Sequence, residues 1–161
     1  MKVGRAILFG LLGAAAISVL SALLRAAGLA IRIELILGTL TGLAPGPGAF
    51  LLGLGIHLAI GAVFGLIYGA LFERVWAHGG VGTGLILGVV HAALIGMFFG
   101  FTPQFHPLVP SVLPDPGPYF ANLGVPGVVA FFAVHLLYGA IVGGGYGHVP
   151  AEQQWAPAGR I

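Results

Sequence analysis

Two histidines, His57 and His135, are the residues whose type and surroundings point most directly to chemistry. Each begins a matching segment, HLAIGAVFGLIYG at 57–69 and HLLYGAIVGGGYG at 135–147, with seven of thirteen positions identical. Residues four apart lie on nearly the same helix face, so each imidazole stands in a stripe of small residues. The stripes contain Gly53, Gly61, Gly65 and Gly69 in the first copy and Gly139, Gly143 and Gly147 in the second. Small residues at this spacing let another helix or a planar cofactor approach the backbone closely.

A neutral imidazole inside an apolar helix needs a hydrogen bond or a metal, and intramembrane ionisable residues point to function. One hypothesis is a tetrapyrrole, haem b or (bacterio)chlorophyll, bound through His57 and His135, with the glycines leaving room for the macrocycle. In the interpretation we favour, each histidine bonds a carbonyl or hydroxyl group of a neighbouring helix and the glycines pack helices. A third hypothesis is that the histidines line a path for protons or a solute. His91 lies outside the repeated pattern and is a candidate third cofactor-binding residue, a donor to such a ligand, or a partner of Ser18 or Ser21.

The composition is that of a chain whose solvent is lipid. Of its 161 residues, 58% are hydrophobic and 6% are charged, and the mean hydropathy is +1.07. A membrane helix needs about 20 apolar residues. The uncharged runs between the charged side chains predict four such helices, at about 6–24, 49–71, 82–101 and 127–147.

The first and third helices repeat as well as the second and fourth. The residues Gly4, Gly10, Ala14, Ala15 and Ile17 recur 78 positions later as Gly82, Gly88, Ala92, Ala93 and Ile95. The sequence therefore predicts an all-α integral membrane protein, a single domain over 1–161. We expect a tandem duplication of a two-helix hairpin, a parallel repeat about an axis along the membrane normal.

Two connecting segments are too apolar for solvated loops. Residues 25–42 carry Arg25, Arg32 and Glu34, which predicts an interfacial segment. Residues 103–126 form a proline-rich loop, in which we expect five apolar side chains to be buried against the bundle or to dock on a partner subunit. These are Phe105, Leu108, Val112, Tyr119 and Phe120. The tail from His148 is polar and is expected to be solvated.

The remaining charged and amphipathic residues indicate orientation. Lys2, Arg5, Arg74 and Arg160 lie on one side of the predicted bundle, and Arg25 and Arg32 lie on the other. By the positive-inside rule we expect a bacterial cytoplasmic (inner) membrane protein with cytoplasmic N- and C-termini. Tyr68 and Tyr146 are predicted to anchor helices at the membrane interface, and His78, His106 and His148 are predicted to be surface residues.

The sequence disfavours several classes of function. Because the chain has no cysteine, disulfides, thiolate catalysis and thiolate-held iron–sulfur clusters are excluded. No phosphate-binding glycine loop, nucleophile elbow or His-Glu-x-x-His motif occurs, so we expect no enzymatic activity and no catalytic residue. A net charge of +2 without a basic cluster argues against nucleic-acid binding.

The repeated H-x3-G-x3-G-x2-Y-G signature resembles that of an uncharacterised family of small four-helix bacterial membrane proteins. The resemblance implies the four-helix topology and transfers no activity. The functional prediction is an accessory or structural subunit of a larger membrane complex, with electron-transfer and photosynthetic complexes as candidates. Its partners would be the lipid bilayer and other membrane subunits, or further copies of itself. The alternatives are the tetrapyrrole-binding protein described above and a small oligomeric transporter or channel.

Overall fold

A computed structural model describes residues 1–149, and over these residues the chain is helical without strands. The helices are α1 (Val3–Ala26), α2 (Ile33–Thr39), α3 (Pro47–Arg74), α4 (Val81–Phe99), α5 (Thr102–Phe105), a 3₁₀ helix (Pro118–Leu123) and α6 (Gly124–Tyr146). Four segments, α1, α3, α4 and the 3₁₀ helix with α6, are long and apolar enough to cross a membrane. The prediction of four apolar helices in an all-α chain is confirmed. The solvated tail and the orientation argument from Arg160 lie outside the described residues.

The helix ends follow local sequence signals. Pro47 occupies the first turn of α3, where its missing N–H would have no partner in any case. α4 ends at Phe99, and Pro103 opens the short α5. Gly147 follows α6 with a φ of +74°, a positive value that glycine adopts without strain. The proline and glycine positions therefore set the bounds of three helices.

The bundle is held together by glycine faces. α1 packs between α3 and α6, and α4 packs on α6. Gly65 lies against Ala6 and Gly10 of α1, and Gly143 lies against Gly80 and Gly84. A side chain at either glycine would meet backbone of the facing segment. Of the two partners the sequence left open for these stripes, a helix or a planar cofactor, the structure places a helix.

The glycine contacts of the α1–α3 pair and the α4–α6 pair differ in register by one helical turn. Gly10 of α1 faces Gly61 of α3. The residue 78 positions after Gly10 is Gly88, and it faces His135, one turn before the counterpart of Gly61. The same small-residue faces therefore meet in both helix pairs, with α4 displaced by four residues along α6.

α2 lies across the start of α3. Gly38 packs against Ala49 and Gly53, so Gly53 contacts α2 instead of a long helix. Glu34 is fully buried, and one of its oxygens forms an ion pair with Arg25 at 3.0 Å. Two of the three charges that kept this segment from spanning, Arg25 and Glu34, thus form an ion pair within it.

The proline-rich loop is only partly buried within the chain. Phe120 is buried, Leu108 and Tyr119 are half-buried, and Phe105 and Val112 are 45% and 60% exposed. For Phe105 and Val112, burial against this chain's own bundle is therefore a wrong prediction, because other loop residues take the inward positions, Val109 and Leu113. Burial against a partner stays a prediction.

The tyrosines expected at the interface are interior residues. Tyr68 and Tyr146 are 2% and 0% exposed, so the anchoring prediction is wrong for both. The Tyr146 hydroxyl donates to Glu73 and accepts a hydrogen bond from the Lys2 backbone N–H at 3.0 Å. Because each hydroxyl finds a partner inside the bundle, neither ring needs the headgroup region.

Replacing Gly65 or Gly143 by leucine should destabilise the bundle. The added side chain would force the facing helix away, which should lower the free energy of unfolding by roughly 1 to 3 kcal/mol. Thermal unfolding in detergent, followed by circular dichroism, measures the change. Gly55→Leu is the matched control, since a side chain on Gly55 of the same helix would meet nothing within 4 Å. Equal melting temperatures for Gly55→Leu and Gly65→Leu would contradict the role of the glycine face.

Candidate functional site

Of the four histidines that line one cavity, three lie on the long helices, and the fourth is His106 of the loop. The three on the helices lie close in depth. They are His57 of α3, His91 of α4 and His135 of α6, and the cavity volume is about 230 Å³. His57 lies ten residues after the start of α3, His91 eight before the end of α4 and His135 eleven after the start of α6. At ~1.5 Å per residue, all three lie roughly 12–17 Å below the same end of the bundle. The fold therefore gathers the three imidazoles at one depth.

His57 and His135 are held by different partners. The Nδ1 atom of His57 lies 2.9 Å from the Ser18 hydroxyl of α1. The Nδ1 atom of His135 lies 2.7 Å from the carbonyl oxygen of Phe131, one turn earlier on α6. A carbonyl oxygen only accepts, so Nδ1 of His135 carries the proton and Nε2 of the neutral ring is an acceptor. The backbone thereby fixes the tautomer of His135.

His91 is surrounded by rings. It stacks on Phe64 with centroids 3.9 Å apart, and it stands perpendicular to His135 at 4.9 Å. The Tyr68 hydroxyl lies 3.4 Å from Nδ1 of His91, its one hydrogen-bond partner within residues 1–149. Because a phenol hydroxyl can donate or accept, this contact fits either neutral tautomer of His91. Of the two rings, His135 is therefore the one whose Nε2 is assigned as an acceptor.

Tyr138 joins the helices at the inner side of the site. Its hydroxyl donates to the carbonyl oxygen of Gly61 at 2.5 Å, and its ring contacts Tyr68 and His91 at centroid distances of 5.5 Å. With Phe72 and Tyr146 it belongs to the largest buried apolar cluster. This cluster fills the bundle from the histidines towards Glu73, so the cavity does not continue as a path in that direction.

His106 was wrongly predicted to be a surface residue. It is 3% exposed; Nε2 donates to the Ile36 carbonyl at 2.9 Å, and Nδ1 accepts from the Leu108 N–H at 3.1 Å. The ring thus ties the loop to α2 above the cavity. Sequence reasoning missed this because the contact joins residues 70 positions apart. His78 and His148 are exposed.

Of the alternatives that the sequence left open for His91, a bond with Ser18 is wrong, and two aromatic residues of the site were not predicted. Ser18 bonds His57 and not His91, and Ser21 lines the cavity. Tyr138 lies three residues after His135 and Phe64 seven after His57, spacings that place each on the face of its histidine. That periodicity was the available signal for both.

The arrangement does not fit a tetrapyrrole. A bis-histidine site needs two imidazoles on opposite faces of an open slot. Here the glycine faces of α3 and α6 are filled by α1 and α4, and His91 stands against His135. The cavity is also smaller than the roughly 300–1,000 Å³ of ordinary ligand pockets. No group of three metal-binding side chains occurs within the part of the chain that the structure describes.

Comparisons with known protein families, with curated proteins and with solved structures find no match to this chain. The class of protein is therefore defined by its own features: an all-helical chain with four apolar helices and a histidine-lined internal cavity.

Replacing Tyr138 by phenylalanine should destabilise the site without changing its shape. The Gly61 carbonyl would lose its side-chain donor, at a cost of about 0.6 to 1.5 kcal/mol of unfolding free energy. Tyr119→Phe is the control, since the Tyr119 hydroxyl makes no hydrogen bond among residues 1–149. Chemical unfolding in mixed micelles measures both variants. A Tyr138→Phe protein as stable as Tyr119→Phe would contradict the assigned hydrogen bond.

Proposed function

We propose that this chain is a non-catalytic, accessory integral membrane subunit of a larger membrane assembly. The proposal rests mainly on the exposed side chains at the end of the bundle near α5. There the loop buries Val109 and Leu113 and leaves Phe105 and Val112 exposed. Phe98 and Phe101 are exposed beside this loop, and the Phe98 and Phe105 rings lie 5.3 Å apart. A cluster of exposed aromatic side chains on a proline-stiffened loop suits docking on another membrane subunit.

A non-catalytic role is supported by the state of the carboxylates. Glu34 pairs with Arg25, Glu73 accepts from Tyr146, and Asp115 accepts from the Gly117 N–H at 2.9 Å. None of them lines the histidine cavity. General acid–base chemistry with a histidine usually needs a second group to orient it or to share the proton. An electron-transfer or photosynthetic assembly remains a candidate host, with its cofactors bound to other subunits.

The finer architectural proposal is a tandem duplication. It is supported by the matching segments at 57–69 and 135–147 and by the use of equivalent glycine faces in the α1–α3 and α4–α6 pairs. Divergence after duplication accounts for the one-turn displacement of α4 and for His91, whose counterpart is Gly13. The likeness to small four-helix bacterial membrane proteins belongs to the same proposal.

The orientation we propose is a cytoplasmic N-terminus in a bacterial inner membrane. Lys2 and Arg5 lie at the same end as Arg74, since their side chains bond the His148 and Gly145 carbonyls at the end of α6. Arg25 and Arg32 lie at the opposite end. The cationic excess at the first end supports the orientation through the positive-inside rule.

The double substitution Phe105→Ser and Val112→Ser should release the protein from its complex. Both side chains are exposed in the single chain, so their loss should leave the fold intact while removing apolar contact area. Blue native electrophoresis of native membranes measures the assembly size, and circular dichroism of the purified variant checks the helices.

Val75→Ser is the matched control, because Val75 is 64% exposed at the opposite end of the bundle. Unchanged assembly size in the double variant would refute docking through the loop. Migration of the wild-type protein as a single chain would refute the accessory role itself.

A further inference from the structure

The histidine cavity combines apolar walls with polar atoms at its base. Most of the side chains that line it are apolar, with isoleucine and phenylalanine the commonest, and the polar ones include the imidazoles of His57, His91 and His135. Small apolar cavities stay dry and bind apolar molecules, whereas polar ones hold hydrogen-bonded guests. A cavity with both characters selects a guest that has an apolar body and one polar group.

The Nε2 atoms of the three histidines are available to such a guest. In each ring the hydrogen bond uses Nδ1, to Ser18, Tyr68 or Phe131. Within residues 1–149, Glu34 Oε1 is the buried side-chain polar atom that has no hydrogen-bond partner. The Nε2 atoms of the three histidines are therefore not fully enclosed by protein, and their rings line the cavity. Nε2 of His135 is an acceptor, which a hydroxyl group satisfies by donating.

The cavity opens sideways. Four of its lining residues are exposed, Leu40, Ile60, Phe98 and Phe105. Leu40 directly follows α2, and the other three lie on α3, α4 and α5, where α3 and α4 have few backbone contacts. All four are apolar and belong to or adjoin the membrane-crossing helices. A guest therefore enters from the hydrocarbon phase and must itself be soluble in lipid.

We propose that this cavity binds one hydroxylated aromatic ring, a phenol-type group delivered from the membrane. An apolar protein cavity of about 150 Å³ accommodates benzene, so 230 Å³ accommodates a ring with small substituents. The rings of Phe64, Phe131 and Tyr138 offer edge and face contacts to an aromatic guest. The hydroxyl donates to Nε2 of His135. The mouth shares Phe98 and Phe105 with the proposed docking surface, so binding is tested on the purified chain outside its assembly.

Two sources could supply this ring. A free phenol would fill the cavity completely, whereas the head group of a tailed quinol would leave its chain passing between Ile60 and Phe98 into the lipid. The chemistry recognised is the same, and the tail distinguishes the two.

The test measures binding to the purified full-length protein in nanodiscs by ligand-observed nuclear magnetic resonance. The probes are a dimethylphenol, its methyl ether, and a decylphenol. Because the ether keeps the ring and loses the donor, we expect it to bind roughly three- to tenfold more weakly than the phenol. The His135→Phe variant should bind the phenol more weakly by a similar factor, and its affinity for the ether should be unchanged. Ile60→Trp should close the mouth and abolish saturable binding of both.

His78→Phe is the matched control, because His78 is exposed and does not line the cavity; it should bind like the wild type. No saturable phenol binding, as expected for a cavity that holds only water, overturns the proposal, and so does equal affinity for phenol and ether. If the His135→Phe variant fails to fold, the proposal is still tested by the affinities of the phenol and its ether and by the binding of both to the Ile60→Trp variant. The affinities of decylphenol and dimethylphenol are compared after the signal from discs containing the Ile60→Trp variant has been subtracted, since that signal reports partition into lipid. Tighter binding of decylphenol assigns the natural guest as a tailed quinol. Weaker binding of decylphenol assigns it as a free phenol.

Discussion

The close approach of glycine faces in lipid is the constraint on which the rest of this structure depends. Apolar side chains gain little by leaving lipid for a helix interface, so membrane helices associate through tight packing and hydrogen bonds. Gly61 and Gly65 bring α3 against α1, and Gly139 and Gly143 bring α6 against α4. Bulky residues of the same helices point outwards, such as Leu51 and Val129, which are 65% and 62% exposed. The small residues hold the bundle, and the large ones meet the membrane.

The cavity is a consequence of how these two tight pairs are joined. α1 contacts α6 through rings that lie against glycines, Tyr138 on Gly13 and Phe9 on Gly145. α3 and α4 have few backbone contacts. Rings occupy much of the space that remains, with Phe64 stacked on His91 and Tyr138 reaching Gly61. The one-turn displacement of α4 along α6 places Gly88 against His135. Similar glycine faces with unequal register thus leave an asymmetric interior, although seven of thirteen positions match between 57–69 and 135–147.

The sequence predicted the spans because their signal is local and strong. Runs of uncharged residues, proline at helix starts and glycine at helix ends each act within a few residues, so the bounds agree within about four residues. Tyr146 and His106 could not be placed in this way. Whether a tyrosine lies at the interface or inside depends on a partner such as Glu73, and the partner of His106 is the Ile36 carbonyl, 70 residues away. Side-chain pairing between distant helices has no local pattern.

At the candidate site, too, local sequence patterns were predictive and contacts between distant residues were not. The repeat drew attention to His57 and His135 correctly as residues at one depth, but it could not show that His91, which has no repeat partner, would stand perpendicular to His135. The glycines beside the histidines suggested space for a macrocycle. That space is taken by α1 and α4, since a helix face fits a glycine stripe as well as a porphyrin would. What distinguishes a packing histidine from a binding one is the state of its second nitrogen. Nε2 of His106 is used by Ile36, whereas the hydrogen bond of His135 within residues 1–149 uses Nδ1, so the proposed binding rests on His135 and not on His106.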